Sequence, residues 1–376
     1  MVLTYINLSY LLVGVVCGVI ISFTIRPKSK AAEKSHQDFL KYVQSINYVI
    51  DNETDRAINE LTNLVKLNPE LIEIYLAIGN LFRIRGELNR ALIVHKSIMA
   101  KPHIDDKLKR EIILAIGTDY DKAGFHQKAA DNFKRLVDMD GSDEDAVHLL
   151  KESLEKNHEW KEALDVLKNF GLKRKNEEAH ILVAIGMEKK VNGDNQSAKS
   201  FFKKAIKTDS DCFEAYYELA RLEYDEDNKE KSLMLIKKAI EKNHRFVSVV
   251  SGFVTEVLKE DYLEFYESIL SKFPKSPELI FDLLHHLSNE NRLLLAEDLI
   301  GSASFEEEEY KKLLYYWKCK IDIIKKNIDS RPVWQFLDNI SEKPKFRCEY
   351  CGFVQKKVFW KCPQCRKWDT SKVIFN

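Results

Sequence analysis

The sequence predicts a mostly α-helical protein in three parts: a single N-terminal transmembrane helix, a solenoid of short paired helices, and a small C-terminal four-cysteine ribbon. Three observations carry this reading. Residues 1–25 hold no charged side chain, small residues recur through the middle with a period near 34, and four of the seven Cys fall within 18 residues near the end. Composition agrees. Only 13 Gly and 8 Pro in 376 residues leave little for the many tight turns of a β-rich fold. The 59 Lys+Arg balance 59 Asp+Glu, so the basic footprint of a dedicated nucleic-acid binder is missing and no nucleic-acid partner is expected.

The first part, residues 1–25, reads as a membrane anchor. Leu8 to Ile25 is 18 residues, which as a helix spans about 27 Å against a hydrocarbon core of about 30 Å. Tyr5 and Tyr10 fall where an aromatic ring with a polar tip favours the interface. Arg26, Lys28, Lys30 and Lys34 follow, with Glu33 the one acid among them. Positive charge on that flank keeps the bulk of the chain on the cytoplasmic side and leaves a short N-terminal tail outside. A cleaved signal peptide needs a basic stretch before the apolar one, and the sequence has none. Gly14 and Gly18 have the spacing that lets two membrane helices approach closely, which admits a homodimer. Residues 26–37 read as a basic juxtamembrane linker.

The second part, residues 38–340, reads as seven to eight helical hairpins. Small residues stand at Ala57, Ala91, Ala129, Ala163, Ala198, Ser232 and Ala296, and a degraded unit near Tyr262 fills the longest gap. A larger apolar residue follows four later: Leu61, Phe133, Leu167, Phe202 and Ile236. His95 breaks that rule. Gly79, Gly117 and Gly186 precede three of the alanines by twelve residues, and Gly86, Gly124 and Gly193 precede them by five. A small residue is needed where the helices of a hairpin cross, and the turn residue needs φ > 0. The pattern resembles the tetratricopeptide repeat, most closely in Tyr75 through Ala91, with Pro69 and Pro102 punctuating units. Such arrays present an extended concave surface to protein partners. Asn80, Arg83, Thr118, Asp121, Arg221 and Tyr224 are expected to face that groove; ordinary solvated polar surface is the competing account of each.

The third part, residues 341–376, holds Cys348-x2-Cys351-x10-Cys362-x2-Cys365. Two knuckles of two thiolates complete a tetrahedral S4 shell, and Gly352 allows the tight backbone of the first. So short a segment cannot fold on its own apolar surface; a structural metal supplies about 10–16 kcal/mol in comparable modules. By spacing and chemistry the ion is zinc, with iron also accepting four thiolates. A closed shell leaves no open position for catalysis. Phe346, Phe353, Phe359, Trp360 and Trp368 either cover the metal or dock the ribbon on the last repeat helices. The segment from Glu342 carries nine Lys/Arg against three acids, a balance suited to anionic headgroups or an acidic partner.

In this order, anchor, repeats and ribbon resemble the lipopolysaccharide assembly protein B family of bacterial inner-membrane proteins. The most specific stretches are Gly79-Asn80-Leu81-Phe82-Arg83 with Arg85-Gly86-Glu87, and Arg347-Cys348 through Trp368. The resemblance implies a single-pass inner-membrane protein with its N-terminus periplasmic. It implies an adaptor that lowers lipopolysaccharide synthesis by delivering the committed-step lipid A deacetylase to a membrane-bound AAA+ metalloprotease. It also implies help in assembling other lipopolysaccharide-synthesis or transport proteins at the cytoplasmic face. The four Cys match the family's rubredoxin-type ligands, which by resemblance makes the ion iron. Arg366 stands where rubredoxins carry Gly, and the ten-residue gap is shorter than theirs; both favour a structural metal over electron transfer.

A generic repeat scaffold or co-chaperone is the alternative. No enzyme is expected: the sequence lacks a phosphate loop, His-Glu-x-x-His and Gly-x-Ser-x-Gly. Cys212 and Cys319 read as packed side chains, and His285 and His286 as helix residues with no acid placed for a metal triad.

Overall fold

A computed structural model describes residues 30–67, 70–102, 104–170, 174–326 and 345–374. The anchor with Gly14 and Gly18, and Pro69, lie outside these residues. Among the described residues no helix is long and apolar enough to cross a membrane. The chain divides into two compact units that meet at Asn157 and His158.

The first unit contains α1 (Lys30–Ile50), α2 (Thr54–Leu67), α3 (Ile72–Ile84), α4 (Leu88–Met99), α5 (Asp106–Lys122), α6 (His126–Met139) and α7 (Glu144–Lys156). Helix α1 starts at Lys30, so the expected linker is helical in its second half. The helices form successive antiparallel pairs, α1 with α2, α3 with α4 and α5 with α6. The core runs from pair to pair. Ala57, Leu61 and Leu64 pack with Ile74, Ile78 and Phe82, and Leu76, Leu92 and Ile98 pack with Ile112 and Ile116.

The second unit contains α8 (Trp160–Asn169), α9 (Lys175–Val191), α10 (Asn195–Thr208), α11 (Phe213–Asp225) and α12 (Lys229–Lys242). A 3-10 turn, His244–Phe246, leads into α13 (Val247–Leu258), α14 (Tyr262–Leu270), α15 (Pro277–Asn289), α16 (Leu293–Ser302) and α17 (Glu308–Lys325). Three short strands follow: β1 (Lys345–Cys348), β2 (Val354–Gln355) and β3 (Ser371–Ile374), in the antiparallel order β2-β1-β3.

The 34-residue pattern has one physical cause, visible in both units. All seven small residues, from Ala57 to Ala296, are fully buried at 0% exposure, where side chains of the paired helix leave no room. In the degraded unit Tyr262 and Tyr266 take over and are equally buried. A Cβ added to Gly117 would lie 2.6 Å from the Phe133 ring, and one on Gly186 would lie 2.5 Å from Phe202. Each ring therefore occupies the space a side chain at the glycine would need, and burying it contributes about 2–3 kcal/mol.

His95 takes the same place over Gly79 in its hairpin. A polar ring there needs partners, and His95 finds them: Nδ1 lies 2.5 Å from the fully buried Asp119, which Arg83 also meets at 2.9 Å. The exception noted in the sequence thus conserves shape and adds a buried ionic network.

The hairpin turns repeat with equal regularity. Gly86, Gly124 and Gly193 have φ of +79°, +79° and +78°, and Asn52, His158, Asp227 and Asn291 take the left-handed conformation at the corresponding turns of other hairpins. Asn and Asp tolerate that region best among non-glycine residues.

Gly117→Ala should force the Phe133 ring aside and lower stability by about 1–2 kcal/mol, the overpacking cost exceeding the helix-propensity gain. Adding Phe133→Leu should restore part of the loss, measured by thermal unfolding of the single and double variants.

Candidate metal centre

The ribbon is built by two knuckles with the same hydrogen-bond pattern. In the first, Cys348 N–H donates to Phe353 O at 2.8 Å and Gly352 N–H to Cys348 O at 3.0 Å. In the second, Cys362 N–H donates to Lys367 O at 2.9 Å and Arg366 N–H to Cys362 O at 2.9 Å. Each pattern demands a left-handed residue directly after the second cysteine. Gly352 supplies it at φ +77°, and Arg366 supplies it at φ +62°. The Cys365-Arg366 departure seen in sequence therefore leaves the knuckle geometry intact, at a backbone cost of about 1–2 kcal/mol.

Strand β1 ends on Cys348, which lies opposite Ser371 of β3 and so fixes the first ligand against the sheet. Cys348 and Cys362 are buried, while Cys351 and Cys365 are half-buried. Their four sulfurs lie within 4.8 Å of one another, with Cys348–Cys365 and Cys351–Cys362 at 3.6 Å each. Sulfurs around a tetrahedral ion at about 2.3 Å would sit about 3.8 Å apart, whereas a disulfide would hold them near 2.0 Å. The donor set fits one four-coordinate metal ion. Burial pushes the Cys348 thiol up, but the Thr370 hydroxyl and the amides of Cys351 and Tyr350 outweigh it and hold the group down at about 6, favouring the thiolate a metal takes.

The ribbon packs against α9, α11 and the 3-10 turn, midway along the helices, whereas the sequence suggested the last ones. The reason is a buried cation in an aromatic slot. His180 of α9 stacks on Trp368, centroids 4.7 Å apart and planes 13° apart, with Trp360 beyond at 6.2 Å. Its Nε2 lies 2.7 Å from Asp369 and its Nδ1 2.7 Å from Glu214 of α11. Trp360 also meets Phe213 and Phe246 at 5.8 and 5.0 Å. Asn176 Nδ2 donates to Asp369 at 3.2 Å. The other aromatics expected at this surface stay inside the ribbon: Phe353 and Phe359 pack together at 6.0 Å, and Phe346 is buried opposite Val373.

Burial alone would lower the His180 pKa, but its bonds to Asp369 and Glu214 raise it to about 10. Asp369 is held below its usual value although burial opposes this, because His180 and Asn176 donate to it. Burial wins at Glu214, whose pKa is raised. The docked state therefore contains an imidazolium whose counter-ion is Asp369.

The residues expected to meet partners divide into two groups. Asn80, Arg83 and Thr118 line one groove of about 440 Å³ between α3 and α5. Asp121, by contrast, is engaged with Lys156 at 2.7 Å and His126 at 3.1 Å. In the second unit Tyr224 packs edge-on against Phe253 at 5.3 Å, and Arg221 lies over Tyr217 with Glu218 3.8 Å away.

Other nucleophile-like groups are enclosed. Cys212 is buried and its thiol is pushed up chiefly by that burial. Ser251 Oγ lies 2.5 Å from His286 Nε2, but Asp282 approaches that same nitrogen at 3.9 Å, so no relay across the imidazole is laid out. Among the described residues the four Cys are the one cluster arranged to hold a metal. His180 and Asp369 were not singled out from the sequence. Their one signal was the pair Trp360 and Trp368 beside an acid in a ribbon too small to bury them.

Cys362→Ser should abolish stoichiometric metal binding, read by elemental analysis, and red-shift the tryptophan emission as Trp360 and Trp368 leave their slot. The His180 contribution to docking is complete below its unfolded pKa near 6.5 and is lost as pH rises through about 10. Tryptophan emission should therefore shift between those limits in the parent protein and stay flat there in His180→Phe.

Comparison with known proteins agrees with the metal-binding ribbon. Residues 346–371 match the family described as the rubredoxin metal binding domain. Lipopolysaccharide assembly protein B of Escherichia coli K12 is 23% identical over 371 residues, covering 92% of this chain and 93% of that protein. Its Haemophilus influenzae counterpart is 24% identical over 382 residues, covering 92% and 94%. Among solved structures, YrrB, described as a TPR protein with an unusual peptide-binding site, covers 49% of this chain at 23% identity and a TM-score of 0.33. Across 92% of its length the chain is thus similar to proteins named lipopolysaccharide assembly protein B.

Proposed function

We propose that this protein acts in lipopolysaccharide assembly in the bacterial envelope, as an inner-membrane-tethered adaptor on the cytoplasmic side. The observation that carries the proposal is the similarity over 92% of the chain to proteins named for that role. In the finer form of the reading, the repeats hold the committed-step lipid A deacetylase. The anchor of residues 1–25 brings it to a membrane-bound AAA+ metalloprotease, and other lipopolysaccharide-synthesis or transport proteins dock on the same platform.

The physical logic is confinement. Holding client and protease on one leash raises their effective concentration to about the millimolar range without any new contact between them. The metal would act by folding the ribbon, since its four thiolates leave no coordination position for a substrate. Iron and zinc both suit that task. The ribbon, fixed to α9 and α11 by His180, would extend the helical surface offered to partners.

Cells lacking the protein should accumulate the lipid A deacetylase severalfold, measured by quantitative proteomics. A chain lacking Val2–Ile25 should stay folded and metal-loaded yet fail to lower the deacetylase. Full regulation by that shortened chain would refute tethering.

A further inference from the structure

The groove between α3 and α5 has a polarity that selects its partner. Helix α3 contributes Glu73, Leu76, Ala77, Asn80 and Arg83, and α5 contributes Glu111, Leu114, Ala115 and Thr118. Their spacing places like with like. Along the groove the glutamates come first on both helices, the apolar residues follow one turn on, and the polar residues close the other end.

The charges at the two ends are not equivalent. Arg83 is already neutralised: it meets Asp119 at 2.9 Å and Ala115 O at 3.2 Å, and donates to Asn80 Oδ1. Asp119 is itself fixed by the buried His95 at 2.5 Å. A carboxylate entering this end would meet no uncompensated cation. Glu73 and Glu111 are exposed and have no ion-pair partner among the described residues. The groove is thus net negative. Because Asn80 accepts from Arg83 through Oδ1, its amide N–H groups remain to donate to an incoming carbonyl oxygen.

The same face recurs one repeat earlier. With Ala57 and Ala91 in register, Phe39, Val43 and Ile46 of α1 correspond to Glu73, Ala77 and Asn80. Phe39 is 60% exposed and Ile46 42% exposed. A terminal repeat normally presents polar residues to water. Here the corresponding surface is apolar, which extends the apolar character of the groove middle.

We propose that this face of the first unit binds a protein segment combining apolar side chains with a Lys or Arg, the cation seated between Glu73 and Glu111. The apolar residues would lie on Leu114 and Ala77, and a backbone carbonyl would accept from Asn80. The inference rests on the docking reading above and adds the chemistry of the docked segment.

The test pans a phage-displayed random 12-residue peptide library on the full-length protein in detergent, with equal metal content and helicity verified for each variant. Selected peptides should combine apolar residues with Lys or Arg, and the strongest should bind the Glu73→Lys/Glu111→Lys variant at least tenfold more weakly by fluorescence anisotropy. Leu114→Asp should lose them as well. Peptides that bind equally well to the charge-reversed variant, yet are lost by Leu114→Asp, would overturn the charge assignment and leave groove docking standing. Failure to retain any peptide, or retention undiminished by Leu114→Asp, would remove the groove as a docking surface altogether.

Discussion

A small residue facing a large one at the helix crossings of the regular hairpins is the constraint on which most of the helical part depends. Two helices can approach closely only where one side chain is reduced to a methyl group or less, and the space so made must be filled from the partner. Gly117 under Phe133 and Gly186 under Phe202 show the pairing in its plain form. His95 over Gly79 shows that shape is the invariant and polarity is not, provided the ring finds Asp119. Each hairpin so closed leaves its first helix free to present side chains outward. The surface that function needs is a by-product of a packing rule.

The ribbon obeys a different rule. Its 30 described residues hold only three short strands, so the four sulfurs must supply what a core otherwise would. Once folded, it offers Trp360 and Trp368, which are too large to bury internally. The slot around His180 covers them with α9 and α11, and the charged ring between Asp369 and Glu214 fixes the orientation that stacking alone would leave loose. Removing Asp369 or Glu214 is costly because His180, buried at 2% exposure, is left with one counter-charge instead of two. Metal, ribbon and central helices therefore form one cooperative body within the second unit.

Much of this was legible in sequence because it is periodic or stoichiometric. The alanines at 34-residue intervals and the doubled Cys-x-x-Cys each state a spatial demand along the chain itself. What was not legible joins residues far apart in sequence. His180 and Asp369 are separated by 189 positions, and nothing near either residue points to the other. The left-handed turns were read only where Gly marks them, although Asn52, His158, Asp227 and Asn291 do the same work. The expected partner residues sorted by a contact the sequence does not show. Asn80, Arg83 and Thr118 share a groove, while Asp121 is held by Lys156 at the end of α7. Gly14 and Gly18 lie outside the described residues, so the anchor rests on hydropathy and flanking charge alone.

The central claim is that the metal-held ribbon braces the helices it covers. Hydrogen–deuterium exchange of the full-length protein, with its metal and after chelation, tests this most directly. The account predicts that chelation deprotects the ribbon together with α9, α11 and the 3-10 turn at His244–Phe246, while α3 to α6 of the first unit keep their protection. If the ribbon alone lost protection and α9 and α11 exchanged as before, the bracing account would be contradicted.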